Sequence, residues 1–200
     1  SVEIQMGIVG PQAYAQETQD LVHNLRGIDK AEGWDHQLKN EPGLVVAFER
    51  KWLFYPKSPK LLTADAIAHA GGAVGNVATY LNTGLEVRYG LNLQRSFGVS
   101  LIRPAGSTLF TPGKKPSLYL FGAVDGRYVM RDIFLDGNTF TDSHSIDKKD
   151  WVADLAVGVT LSHGNLMLTY SHVTRTREVE GQDDAHNFGS MTLSFFYPLW

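Results

Sequence analysis

The chain has no cysteine among its 200 residues. That excludes a disulfide framework, a thiolate zinc site and a cysteine nucleophile, although it does not exclude an oxidising compartment. An excess of charge is also missing. Eighteen Lys and Arg stand against 21 Asp and Glu, a net charge of −3, so no strong field points to nucleic acid. Long apolar runs are absent too, and no segment approaches the ~20 apolar residues of a membrane-spanning helix. Two classes remain. One is a soluble β-rich domain; the other is an outer-membrane barrel, whose alternating strands look only mildly hydrophobic.

What is present favours β structure. Glycine is abundant at 20 residues and aromatics make up 11%, as is common in antiparallel chains with many turns. The length suits one domain or one medium-sized barrel. The chain begins at Ser1 with no signal peptide visible, and the expectation is a piece cut from something longer.

One stretch breaks the alternation. In GPQAYAQETQDLVHNLRG, Pro11 suits a first helical turn and Gly27 suits a stop. Tyr14, Thr18, Leu21, Val22 and Leu25 recur at spacings of three and four, and Gln12, Gln16, Gln19, His23 and Arg26 form the opposite stripe. The spacing predicts a helix over 11–27. Gln19 and His23 are four apart and project from the same side. An amide and an imidazole facing one space can act as orienting group and general base. A solvated helix face explains the same stripe and is the reading that spacing alone favours.

The remainder alternates. Val2, Ile4, Met6 and Ile8 oppose Glu3 and Gln5. Leu44, Val46, Phe48, Trp52 and Phe54 oppose Glu49 and Lys51, with Arg50 interrupting the apolar side before Pro56 and Pro59 end the strand. A strand over Thr63–Gly72 puts Asp65, Ile67 and His69 on one face, and AGGAVGN is read as a turn. From Val77 to Leu91 the alternation is clearest, with Asn82, Glu86, Arg88 and Asn92 facing away from the apolar set. Strands follow over Lys115–Arg131, Trp151–Ser162, from Leu166, and through Met191, Leu193, Phe195 and Tyr197.

Runs this long exceed the soluble mode of about 5–6 residues and suit membrane strands of about 9–11. Short turns near 75 and 164 alternate with longer polar loops, a rhythm expected of outer-membrane barrels. Trp200 supplies a terminal aromatic, with Pro198 interrupting the last alternation. The expected fold is an all-β antiparallel transmembrane barrel of about eight strands with one short loop helix. A soluble barrel would reverse the two faces, and the sequence does not orient them.

Other motifs carry less. Asp132, Asp136, Asn138, Asp142, His144 and Asp147 could supply oxygen ligands, but EF-hand spacing is missing and a hydrogen-bonded loop is favoured. GGAVGN has no Lys-Ser/Thr after it, so a turn is favoured over a phosphate cradle. Ser107, Ser143 and Ser145 stand in no nucleophile elbow. His36 reads as a packed loop residue. His69, His163, His172 and His186 read as unpaired, without a zinc site.

Taken together, GPQAYAQETQDLVHNLRG, GWDHQLKNEPG, GGAVGNVATYLNTGLEVRYG, RDIFLDGNTFTDSHSIDKKDW and REVEGQDDAHNFGSMTLSF resemble the lipid A 3′-O-deacylase (LpxR-like) family over nearly the whole chain. The resemblance implies an outer-membrane barrel of about twelve strands, and residues 1–200 would be the C-terminal part of that single domain. It implies calcium-dependent hydrolysis of the 3′-linked acyloxyacyl chain of lipid A, with a site between the barrel wall and an external-loop helix. The implied partners are lipopolysaccharide and the outer membrane, without nucleic acid, and the expected state is a monomer.

Within the family's Gln-x-x-x-His, His23 matches the general base that activates water and Gln19 its neighbour. Asp29 matches the acid that follows, with Glu32 a poorer fit. A carboxylate near His23 would fix its tautomer and stabilise the imidazolium. Calcium would polarise the ester carbonyl. Its ligands, an Asn-Asp pair and a Thr or Ser, are expected mostly in a segment preceding Ser1. The alternative reading is a non-catalytic structural or ligand-binding outer-membrane barrel.

Overall fold

Alternation along the chain becomes a two-sided wall in the computed structural model, which describes residues 1–30, 32–58, 60–98 and 112–197. The strands are β1 (Val2–Val9), β2 (Glu41–Phe54), β3 (Leu62–Gly75), β4 (Ala78–Leu91), β5 (Gly113–Asp132), β6 (Trp151–Gly164), β7 (Leu166–Arg175) and β8 (His186–Phe195). They pair antiparallel in chain order within one eight-stranded sheet. The sheet is a half-barrel, and among the described residues its edge strands β1 and β8 are not paired with each other. Strands β2, β3, β4 and β6 are 14 residues long and β5 is 20, long enough to cross a bilayer at a tilt. Pro59, Ser107, Pro198 and Trp200 lie outside the described residues.

The orientation left open by the sequence is settled by burial. Leu62, Leu91, Leu118, Leu161, Leu168 and Leu193 are successive register partners from β3 to β8. Each of them is exposed on the convex side. Asp65, Asn82, Glu86, Arg88, Asp125, Asp154, Thr160 and Thr169 are buried on the concave side. Apolar outside and polar inside is the arrangement of a membrane barrel, not of a soluble one. No helix among the described residues is long and apolar enough to cross a membrane.

The buried polar groups satisfy one another. Arg88, at 0% exposure, donates from Nε and Nη2 to the two carboxylate oxygens of Asp65 at 2.8 and 2.5 Å. It also reaches the Ser96 hydroxyl and carbonyl at 2.8 and 3.1 Å. A fork matched to a carboxylate, with two further N–H groups bonded to Ser96, is the geometry that makes a buried ion pair tolerable. Further along the wall, Arg127 and Arg175 both bind Asp154, at 3.0 Å and at 2.7 and 2.9 Å.

Several expectations change. The helix predicted over 11–27 is broken. A 3-10 turn at Pro11–Ala13 is followed by Tyr14 at φ 54, and only then by helix α1 (Ala15–Arg26). A four-residue second helix, α2 (Ile133–Asp136), follows β5. AGGAVGN is mostly strand, because β3 runs on to Gly75. Gly71 serves close strand approach, since a Cβ there would strike the Phe48 carbonyl. The short–long rhythm does not divide the two ends either. The short β3–β4 turn shares the α1 end with the long β5–β6 and β7–β8 loops, while the one-residue β6–β7 turn is at the opposite end.

His69, read as unpaired, is not. It faces inward and its Nε2 lies 2.6 Å from the Asp125 carboxylate. Gly84 makes room for it, because a Cβ there would meet the imidazole ring at 2.5 Å.

Candidate functional site at the loop helix

The connection from β1 to β2 closes on itself at its neck. Gly10, at φ +99, has no room for a Cβ, which would sit 2.6 Å from the Lys39 carbonyl carbon. The Asn40 side chain accepts the Gln12 amide at 2.8 Å. The two ends of the loop that carries α1 are thus held together.

Gln19, Asp20 and His23 are half-buried, while every other residue of α1 is exposed. Leu21, Val22 and Leu25, on the apolar face of α1, are 60%, 44% and 79% exposed.

The C-terminus of α1 decides what His23 meets. Gly27 adopts φ 63, open to glycine without the Cβ penalty. Its N–H reaches the Asn24 carbonyl at 3.4 Å, and the Ile28 N–H reaches the His23 carbonyl at 3.0 Å. This paired 6→1 and 5→2 pattern reverses the chain. The returning segment is clamped to the helix twice. Lys30 Nζ binds Asp20 at 2.9 Å, and the Asp29 main-chain oxygen lies 2.6 Å from His23 Nδ1.

A carbonyl oxygen only accepts, so Nδ1 carries a hydrogen, and in the neutral ring Nε2 presents its lone pair. The tautomer expected from an Asp29 carboxylate is thus set by the Asp29 backbone instead, and the exposed carboxyl of Asp29 does not meet the ring. Glu32, the poorer candidate, is exposed.

The β5–β6 loop is bonded into the same end. Asn138 exchanges two 2.8 Å hydrogen bonds with the main chain of Lys39 and donates to Glu41 at 3.0 Å. Glu41 also accepts the Thr139 amide at 2.9 Å. Arg131 donates to the carbonyls of Asn76 and Gly137 and to the Thr139 hydroxyl. Asp132 caps α2, and Asp136 binds Lys148 at 2.9 Å. Burial pushes the Asp136 carboxyl up, but the Asp132 amide and Lys148 outweigh it and hold the group below its ordinary range.

Ser143 accepts the Asn138 amide at 2.7 Å, and His36 packs edge-on against His144 at 5.7 Å. The acidic run at 132–147 is therefore a hydrogen-bonded loop. No group of three His, Asp or Glu able to hold a metal exists among the described residues. Asp20, the acid nearest His23 along α1, is taken by Lys30. These residues alone do not fit a calcium site.

A family model described as "Outer membrane protein LpxR" matches residues 1–197. Among solved structures, LpxR from Salmonella typhimurium superposes with a TM-score of 0.82 at 21% identity, covering 98% of this chain. The chain spans 66% of that protein's length. A comparison with curated proteins finds no match.

Proposed function

We infer, because the chain belongs to the LpxR family of outer membrane proteins, that it carries the loop helix of an esterase. The substrate is lipid A, and the bond hydrolysed is the 3′-linked acyloxyacyl ester. The observation that carries this reading is the 2.6 Å approach of His23 Nδ1 to the Asp29 carbonyl, which leaves Nε2 as a free base.

In this reading Nε2 takes a proton from water as the water oxygen attacks the ester carbonyl carbon. The tetrahedral oxyanion collapses, the C–O bond to the sugar breaks, and the proton on Nε2 passes to the departing sugar oxygen, which leaves as a hydroxyl. The Asp29 carbonyl dipole favours the transient imidazolium, as does its place near the C-terminus of α1. Gln19, one turn before His23, supplies an amide that orients the water. Calcium is implied by the family resemblance and would polarise the ester carbonyl. The described residues do not make a site for it, so no step here passes through it.

Mass spectrometry of lipid A from cells expressing the protein, with and without added calcium, tests the reading. Loss of the mass of the 3′-acyloxyacyl group in the parent but not in His23→Ala is expected. An unchanged profile with the protein in the outer membrane overturns the esterase and leaves a non-catalytic barrel.

A further inference from the structure

The outer wall carries a hollow that the loop helix does not use. Ala70, Thr83 and Gly126 are register partners on β3, β4 and β5, small residues that continue the run of outward-facing alanines Ala64, Ala66 and Ala68 on β3. The neighbouring row toward the α1 end holds Leu81, Tyr128 and Trp151, with the two rings 5.0 Å apart. The step between these rows leaves an apolar groove of about 410 Å³.

A second hollow, of about 400 Å³, shares Gly126 and Trp151 and is rimmed by Lys149 and Arg177. Lys149 Nζ holds the exposed Glu180 carboxylate at 2.8 Å. Arg177 also acts on Glu180 through its charge, but makes no ion pair among the described residues. Lys149 and Arg177 are the charged residues that line this hollow.

We propose that the two hollows form one lipid site, with an acyl chain in the groove and the lipid's phosphate between Lys149 and Arg177. Two observations carry the choice of occupant. The groove is continuous with the membrane-facing wall, where a hollow excludes water and only acyl chains are at hand to fill it. Its open end meets an aromatic pair and then cations, the order in which a lipid presents its chain, interface and headgroup. The guanidinium fork of Arg177 suits a phosphate. The site rests on membership of an outer-membrane family and not on the role of His23.

The test is quenching of Trp151, taken as the difference between the protein and its Trp151→Phe variant in phosphatidylcholine nanodiscs. Dibrominated phosphatidic acid, added at low mole fraction, is expected to quench about tenfold more effectively than dibrominated phosphatidylcholine, a charge-assisted hydrogen bond's worth of preference. Gly126→Leu, which fills the groove where a Cβ meets nothing closer than the Thr83 carbonyl at 3.9 Å, should abolish the excess. Arg177→Gln should abolish it independently and leaves the wall untouched, so it decides the matter if Gly126→Leu fails to fold. Equal quenching by the two lipids, or an excess that survives Arg177→Gln, overturns the site. His23→Ala should leave the excess unchanged.

Discussion

His23 Nδ1 lies 2.6 Å from the main-chain oxygen of Asp29. That relationship exists because Gly27 turns the chain back on the helix at φ 63. The side chain of residue 29 is not part of it. The expected outcome is that Asp29→Asn keeps the Nδ1-protonated tautomer in imidazole ¹⁵N spectra, while Gly27→Val loses it. A β-branched residue forced to positive φ costs about 1–2 kcal/mol, enough to move the carbonyl away. A tautomer lost in Asp29→Asn would assign the role to the carboxylate instead.

His23→Ala should lower deacylation about 10²- to 10⁴-fold, the range of a lost general base. The barrel should still fold, since His23 belongs to the loop helix and not to the sheet. Lipid A mass spectra report the first effect and heat-modifiable gel mobility the second. Near-normal activity would remove His23 from the base role.

Asp65 and Arg88 are each at 0% side-chain exposure and bound as a fork. Asp65→Ala leaves the buried guanidinium, among the described residues, only Glu86, at 3.9 Å, as a counter-charge and should cost about 3–5 kcal/mol in a urea unfolding series, while the double change Asp65→Leu with Arg88→Met should recover most of it. If the double variant is as unstable as the single one, packing rather than charge governs the site.

The Asp136 contacts of the β5–β6 loop should loosen only in acid. Asp136 is held below its ordinary value of 3.8 despite burial, by the Asp132 amide and Lys148. A depressed carboxylate contributes fully above its unfolded value, and that contribution is lost as pH falls through the lower folded value. Hydrogen exchange at the Asp132 amide, taken relative to its intrinsic rate at each pH, should therefore accelerate only below about pH 3.8. In Asp136→Asn it should already be fast at neutral pH. Equal protection in the two proteins would show that the pair does not hold the loop.

Strand positions were readable because inward and outward residues differ in kind. Asn82, Glu86 and Arg88 against Leu81, Leu85 and Val87 give β4 and its two faces without any structure. The pairing of His69 was not readable, because its partner Asp125 is 56 residues away and meets it only through the registers of β3 with β4 and β4 with β5. The left-handed Tyr14 was also hidden, since a tyrosine gives no signal for positive φ.

Local spacing by itself determined the strands, the loop helix, the four-residue interval of Gln19 and His23, and the glycine that ends the helix. Those follow from periodicity and backbone sterics, which act over a few residues. Tertiary structure alone decided which face of the wall turns outward, which groups neutralise the buried charges, and that a backbone carbonyl rather than a carboxylate holds His23. Each of these depends on what lies across the sheet or beyond a chain reversal. Burial and hydrogen bonding act on neighbours in space, and alternation along one strand carries no record of them.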